Sequence, residues 1–189
     1  MRPLVRVGAL AAAASLVSAS IAPTVEATPI GQSTVAAQRN QPLPGGATSL
    51  QEMHGDWRVA CAQQNGRKVC ALSQQQTDKD SHQLLLAIEL NPPAIDKAEG
   101  TLILPFGLAL DRPVTLQIDE AAGPTLRFRT CLPVGCLVGL AFDPTTVAQL
   151  RKGTTLTVRA TADGGQGAAF KISLNGFSGA FDRAVALAK

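Results

Sequence analysis

Asp56-Trp57-Arg58-Val59-Ala60-Cys61-Ala62-Gln63-Gln64-Asn65-Gly66-Arg67-Lys68-Val69-Cys70 is the stretch on which the fold turns. Trp57, Val59 and Cys61 repeat with a period of two, the pattern of a half-buried strand. Asn65-Gly66 is the strongest short hairpin signal, because both central positions of a type I′ turn take positive φ. A hairpin centred on that dipeptide sets Gln64 against Arg67, Gln63 against Lys68, Ala62 against Val69 and Cys61 against Cys70. Counted outward from the turn, the cysteines form a non-hydrogen-bonded pair, with Cα atoms roughly 4.5 Å apart. That is close enough for a disulfide.

The same alternation continues along the chain. Leu84, Leu86, Ile88 and Leu90 share a face, as do Val114, Leu116 and Ile118. Leu126 with Phe128, then Leu156, Val158 and Ala160, then Phe170, Ile172 and Leu174 follow. Turn signals stand between them at Asn91-Pro92-Pro93, Asp111-Arg112-Pro113, Gly123-Pro124 and Asp163-Gly164-Gly165. Short alternating strands punctuated this way predict an all-β fold, an antiparallel sandwich or barrel. Two short helices are expected at its periphery. Asp143 is a good N-cap, Pro144 suits the first helical position, and Gly153 ends the helix after Arg151 and Lys152. Ser178 to Leu187 has helical propensity, with Phe181, Val185 and Ala188 on one face and Ser178 read as its cap. Both helices are expected to pack against the sheet.

The N-terminal segment reads as an export signal. Arg2 and Arg6 supply a positive start, Val7 to Ala22 is apolar, and Val25-Glu26-Ala27 fits the small-x-small cleavage pattern. The apolar run is shorter than the roughly 20 residues a membrane-spanning helix needs. The expected domains are therefore a signal peptide at 1–27, a flexible linker at 28–49 and a single β-rich domain at 50–189. Pro29, Pro42, Pro44, Gly45 and Gly46 mark the linker. No membrane span is expected after signal cleavage, and the expected location is the periplasm or outside the cell.

Loss of Arg2, Arg6 and Glu26 with the signal lowers the formal charge from +3 to +2. That surplus is too small and too scattered to argue for nucleic acid. Tyrosine is absent and aromatic residues are few, which argues against an aromatic-lined sugar or peptide groove.

Four cysteines in an exported chain imply disulfides. Cys131 and Cys136 bracket Leu132-Pro133-Val134-Gly135, a four-residue turn with proline second, so they too are expected to close locally. Such short loops are worth about 2–3 kcal/mol each in the chain-entropy model. A thioredoxin-like redox site has C-x-x-C at a helix start; this pair has four intervening residues and a strand context. Zinc spacing is absent, and His54 and His82 stand isolated in the sequence.

The order of several short motifs resembles the invasion-associated locus B family of bacterial exported proteins. It begins at Asp56-Trp57-x-Val59-x-Cys61 with Cys70, and runs through Leu104-Pro105-Phe106-Gly107 and Ile118-Asp119. Cys131-x-x-x-Gly135-Cys136, Leu150-x-x-Gly153 and Ser173-Leu174-x-Gly176-Phe177-x-x-Ala180-Phe181 complete it, over about residues 54–185. The resemblance implies a compact β-rich domain in the periplasm or outside the cell. It implies no reaction and no cofactor, and brings no catalytic residue.

Direct searches for chemistry end similarly. Gly176-Phe177-Ser178-Gly179 lacks the spacing and context of a nucleophile elbow. Gly164-Gly165-Gln166-Gly167 sits in a hairpin turn rather than before a helix. Asp119-Glu120 and Asp78-Lys79-Asp80 are cation candidates, read here as solvated turns. Arg127 and Arg129 alternate with Leu126 and Phe128, and with Arg159 they make a candidate anion- or partner-binding strip. The leading expectation is a module without enzymatic activity, metal or cofactor that binds a protein or an envelope or host surface component. A hydrolase of unrecognised type would need acidic side chains converging near His54 or His82. A thiol-disulfide oxidoreductase would need an exposed, easily reduced Cys131–Cys136 bond.

Overall fold

The computed structural model describes residues 43–64 and 66–189. The signal peptide at 1–27, linker residues 28–42 and Asn65 of the first turn lie outside the described residues. Among the described residues, the larger sheet runs in the order β1 (Ser49–His54), β2 (Trp57–Gln64), β3 (Arg67–Thr77), β4 (Leu84–Ala94), β5 (Lys97–Leu104), β9 (Gly135–Phe142), β8 (Phe128–Leu132). The smaller sheet runs β11 (Gly167–Ser173), β10 (Thr155–Thr161), β6 (Val114–Ile118), β7 (Ala121–Leu126). Every pairing is antiparallel. Among the described residues two α-helices accompany the sheets, α1 (Pro144–Lys152) and α2 (Phe177–Ala188).

Alternation builds the core. Val59 of β2 pairs with Leu72 of β3 and Leu72 with Leu90 of β4, and all three are buried. From the smaller sheet Val114, Leu116, Ile118, Leu156, Val158 and Ile172 join the same apolar cluster. Phe177 and Phe181 of α2 complete it. Trp57 meets Phe177 edge to face at 5.1 Å, a geometry that adds about 0.5–1.5 kcal/mol to the area buried. Its indole Nε1 donates to the Ser173 carbonyl at 2.9 Å. Gln74, buried on β3, donates to the same carbonyl and accepts from the Ser173 amide. One polar seam thus ties the two sheets together with its buried groups satisfied.

Several local readings need correction. Leu126 and Phe128 do not belong to one strand. Leu126 ends β7 in the smaller sheet, Phe128 begins β8 in the larger, and Arg127 is the crossing residue. Gly123-Pro124 lies within β7, an edge strand, where the missing proline N–H costs no ladder bond. Asn91-Pro92-Pro93 is likewise inside β4, at a register shift. β1 carries no strong alternation and escapes a reading by periodicity, yet pairs with β2 along its whole length. Leu43, within the stretch read as linker, is buried in the core cluster.

The helices follow their end signals. Asp143 accepts from the Thr146 amide at 2.7 Å and Gly153 caps the other end of α1. For α2 the N-cap is Gly176 at φ +83, while Ser178 lies inside the helix and accepts from Arg151. Only glycine fits there: a Cβ on Gly176 would collide with the His54 carbonyl. On the buried face of α2, Leu187 takes the place expected of Ala188, which is exposed. No helix among the described residues is long and apolar enough to cross a membrane.

Candidate functional site

Chain direction gathers one set of ends. β3 and β8 finish, and β4 and β9 start, at the end of the larger sheet where β5 also finishes. Among the described residues, four of the eight large apolar side chains left exposed sit at this end: Leu85 near the start of β4, Phe106 just after β5, and Leu132 and Val134 at the β8–β9 turn. Phe106 is 62% exposed and Val134 57%. Between them lies a cleft of about 550 Å³ lined by Leu84, Pro105, Phe106, Pro133 and Val134, with Gln83 beside it and no charged residue.

Each wall has a covalent or backbone reason for its place. Cys131 and Cys136 are joined, with Cα atoms 3.9 Å apart. Leu132 pairs with Gly135, so Pro133 and Val134 are presented at the tip. Gly135 has φ +135, and a Cβ there would press on the Leu104 carbonyl of β5. On the other wall, Gly107 accepts from the Asp163 amide and Leu108 bridges Ala162, so the loop carrying Phe106 is fastened to the smaller sheet. Packing rewards burial of a phenylalanine by roughly 1.5–3 kcal/mol; this one is left in solvent on a fixed loop. The arrangement suits capture of an uncharged, apolar group.

The structure also joins Cys61 to Cys70, directly cross-strand as the hairpin register requires, with Cα atoms 4.1 Å apart. Both of these sulfurs belong to buried residues. The arginine strip is dispersed. Arg129 lies on β8 beside a shallow groove shared with Lys68 and Glu99, whereas Arg159 lies on β10 of the smaller sheet. Arg159 donates from Nε and Nη2 to Gln117 Oε1, and Arg127 sits exposed at the crossing between the sheets.

The cation candidates are occupied by the protein itself. Asp119 accepts from the Thr154 hydroxyl and amide and from the Thr155 amide, which lowers its pKa. Asp78 caps its own turn through the Ser81 amide and hydroxyl and is lowered likewise. Among the described residues no group of three histidine, cysteine or carboxylate side chains is placed to share an ion. His54 lies 3.4 Å from Glu52. Glu52 in turn receives a two-pronged contact from Arg183 of α2, at 2.8 and 2.7 Å. The Arg183 guanidinium, helped by His54, holds the Glu52 pKa at about 2.

In the sequence Phe106 stood out only within the Leu104-Pro105-Phe106-Gly107 motif, and Leu132 to Val134 only as the turn between two cysteines. Their meeting across the end of the sheet is a product of topology.

Comparison with known proteins agrees with this architecture. A family model described as "Invasion associated locus B (IalB) protein" matches residues 57–185. An invasion protein B homolog of Brucella abortus (strain 2308) is 47% identical over 148 residues, 78% of this chain and 86% of the relative. Invasion protein B of Bartonella bacilliformis is 34% identical over 152 residues, 78% of this chain and 81% of that protein. The crystal structure of invasion associated protein B from Bartonella henselae superposes with a TM-score of 0.68 at 36% identity, covering 73% of this chain and 96% of that one. The matched span holds both disulfides, both walls of the cleft and every strand from β2 to β11, and the chain belongs to the invasion associated locus B family.

Proposed function

We propose that this chain is exported and works as a binding module without catalysis, taking an apolar group of a protein or surface component into the cleft between Phe106 and the Cys131–Cys136 turn. The observation that carries this reading is Phe106 itself, exposed on a fastened loop opposite exposed Val134 with no charge between them. Apolar patches rimmed by polar residues mark interaction sites in soluble domains. The names of the relatives associate the family with invasion, which favours a partner on an envelope or host surface. Two disulfides fit maturation in an oxidising compartment.

Site-directed photocrosslinking tests the binding reading. A photoreactive residue at Phe106 or Val134, in protein expressed from the full sequence in bacteria, should give a discrete adduct. The same probe at exposed Lys152 should not. Equal labelling at all three positions, or none, overturns the cleft as the binding site. Reduction of Cys131–Cys136 by a small dithiol well ahead of unfolding would move the assignment to a thiol-disulfide oxidoreductase. Export is checked by intact mass on envelope protein, which should begin at Thr28.

A further inference from the structure

The second face of the larger sheet, turned away from the core, carries small side chains over its middle strands β2 to β4, with Glu99 on β5 and Arg129 on β8 toward one side. A solvated antiparallel face ordinarily carries polar residues at alternate positions. Here the outward positions of β2, β3 and β4 include Ala60, Ala62, Val69, Ala71 and Ala87. Register sets Met53, Arg58, Ser73, Glu89, Thr101 and Gly139 side by side in one row across six strands. Arg58 and Glu89 therefore flank Ser73 symmetrically, each one strand spacing of roughly 4.8 Å from β3. Both are exposed, and neither is in an ion pair among the described residues.

We propose that a second copy of this chain packs face to face on this surface, about a twofold axis running along β3. Such an axis exchanges β2 with β4 and β1 with β5 while keeping the position along each strand. Arg58 then lies over the partner's Glu89, and Glu89 over the partner's Arg58, so the two unpaired charges neutralise each other twice. This is the self-complementarity a twofold interface demands. Ala71 on β3 meets its own copy, and small side chains let the sheets approach to the usual spacing of about 10 Å. The twist between packed sheets disturbs rows least near the axis, where both charges sit. Because the axis runs along the strands, the two apolar clefts face the same way. That last consequence rests on the binding reading above, and gives paired clefts the avidity of linked sites.

Charge reversal tests the geometry, with sedimentation velocity on protein expressed from the full sequence. The wild-type chain should be a dimer. Arg58→Glu and Glu89→Arg should each weaken association by about a hundredfold, since each sets like charges face to face. Arg58→Glu/Glu89→Arg in one chain should restore the dimer. Mixing the two single variants should give a 1:1 heterodimer, because every pair across that interface is then opposite in sign. Circular dichroism spectra should match the wild type, and urea midpoints should coincide at protein concentrations low enough to keep every chain monomeric, as both side chains are exposed in the single chain. A wild-type monomer at all concentrations, single variants that associate normally, or a double variant that stays apart overturns the proposal. Loss of crosslinking at Phe106 would leave these masses unchanged, so the two readings fail separately.

Discussion

The two cysteine hairpins close in the same way and serve different ends. Cys61–Cys70 joins β2 to β3 with both residues buried in the core, next to Val59 and Leu72. Cys131–Cys136 joins β8 to β9 with Cys136 buried and Cys131 half-buried, and the turn beyond it presents Leu132 and Val134 to solvent. Loop closure is short in both, so the chain-entropy contribution is similar. What differs is the surrounding packing. In the first hairpin the bond braces a core that Trp57, Phe177 and Phe181 already hold. In the second it fixes a turn that has little packing beyond it, so the covalent bond does the positioning.

The sharpest way to test that contrast is Trp57→Ala. Loss of the edge-to-face contact, the Ser173 hydrogen bond and a fully buried side chain should cost about 3–5 kcal/mol. A urea midpoint shift with unchanged slope is the measurement. A cost below that of removing either disulfide would break the comparison, because the first hairpin would then depend on its bond rather than its packing.

Next come the paired cysteine replacements. Cys61→Ala/Cys70→Ala should cost about 2–3 kcal/mol and leave crosslinking from Val134 intact. Cys131→Ala/Cys136→Ala should cost about as much yet weaken that crosslink, since the turn loses its fastening. Equal effects on the crosslink would erase the distinction between the two bonds. Replacing one cysteine of a pair should do more harm than replacing both, through mispairing of the freed thiol, and non-reducing peptide mapping detects it.

A smaller effect concerns how β1, the strand paired beside the first hairpin, is held to α2. Glu52 on β1 has its pKa depressed from 4.5 to about 2 by Arg183. A depressed carboxylate stabilises the folded state above its unfolded pKa and loses that contribution as pH falls through the folded value. Stability should therefore decline between about pH 4.5 and 2. Arg183→Ala should flatten that limb and lower stability only slightly at neutral pH, since solvent screens the pair. An unchanged acid limb in the variant would show that the contact adds nothing.

The smallest change in stability belongs to the second region. Phe106→Ser should change the unfolding free energy by no more than about 0.5 kcal/mol, because the ring is mostly in solvent. It should nonetheless abolish the Val134 adduct. A large loss of stability would mean that Phe106 packs in solution, and the cleft would lose its wall.

Much of the fold was legible because it is local. The register from Asn65-Gly66 placed Cys61 against Cys70, and the Cys131–Cys136 bond followed from its bracketed turn. Asp143, Pro144 and Gly153 delimited α1 to the residue. Each of these depends on dihedral preferences within a few residues. Where two sheets compete for neighbouring residues, local pattern misleads. Leu126 and Phe128 keep perfect alternation across a boundary between sheets, and β4 and β7 run through prolines that read as turns.

The amino-acid sequence by itself determined the all-β class, the cysteine pairs and the family, since alternation, turn chemistry and motif order all act over short spans of chain. Only the tertiary structure decided which strands share a sheet, that Glu52 meets Arg183 across 131 residues, and that Phe106 faces Val134 over an open cleft. The physical reason is that a strand's pattern says which face is buried but not what buries it. Pairing partners are chosen by competition among all the strands for one core, and the surfaces left over after that choice are where the chain can bind.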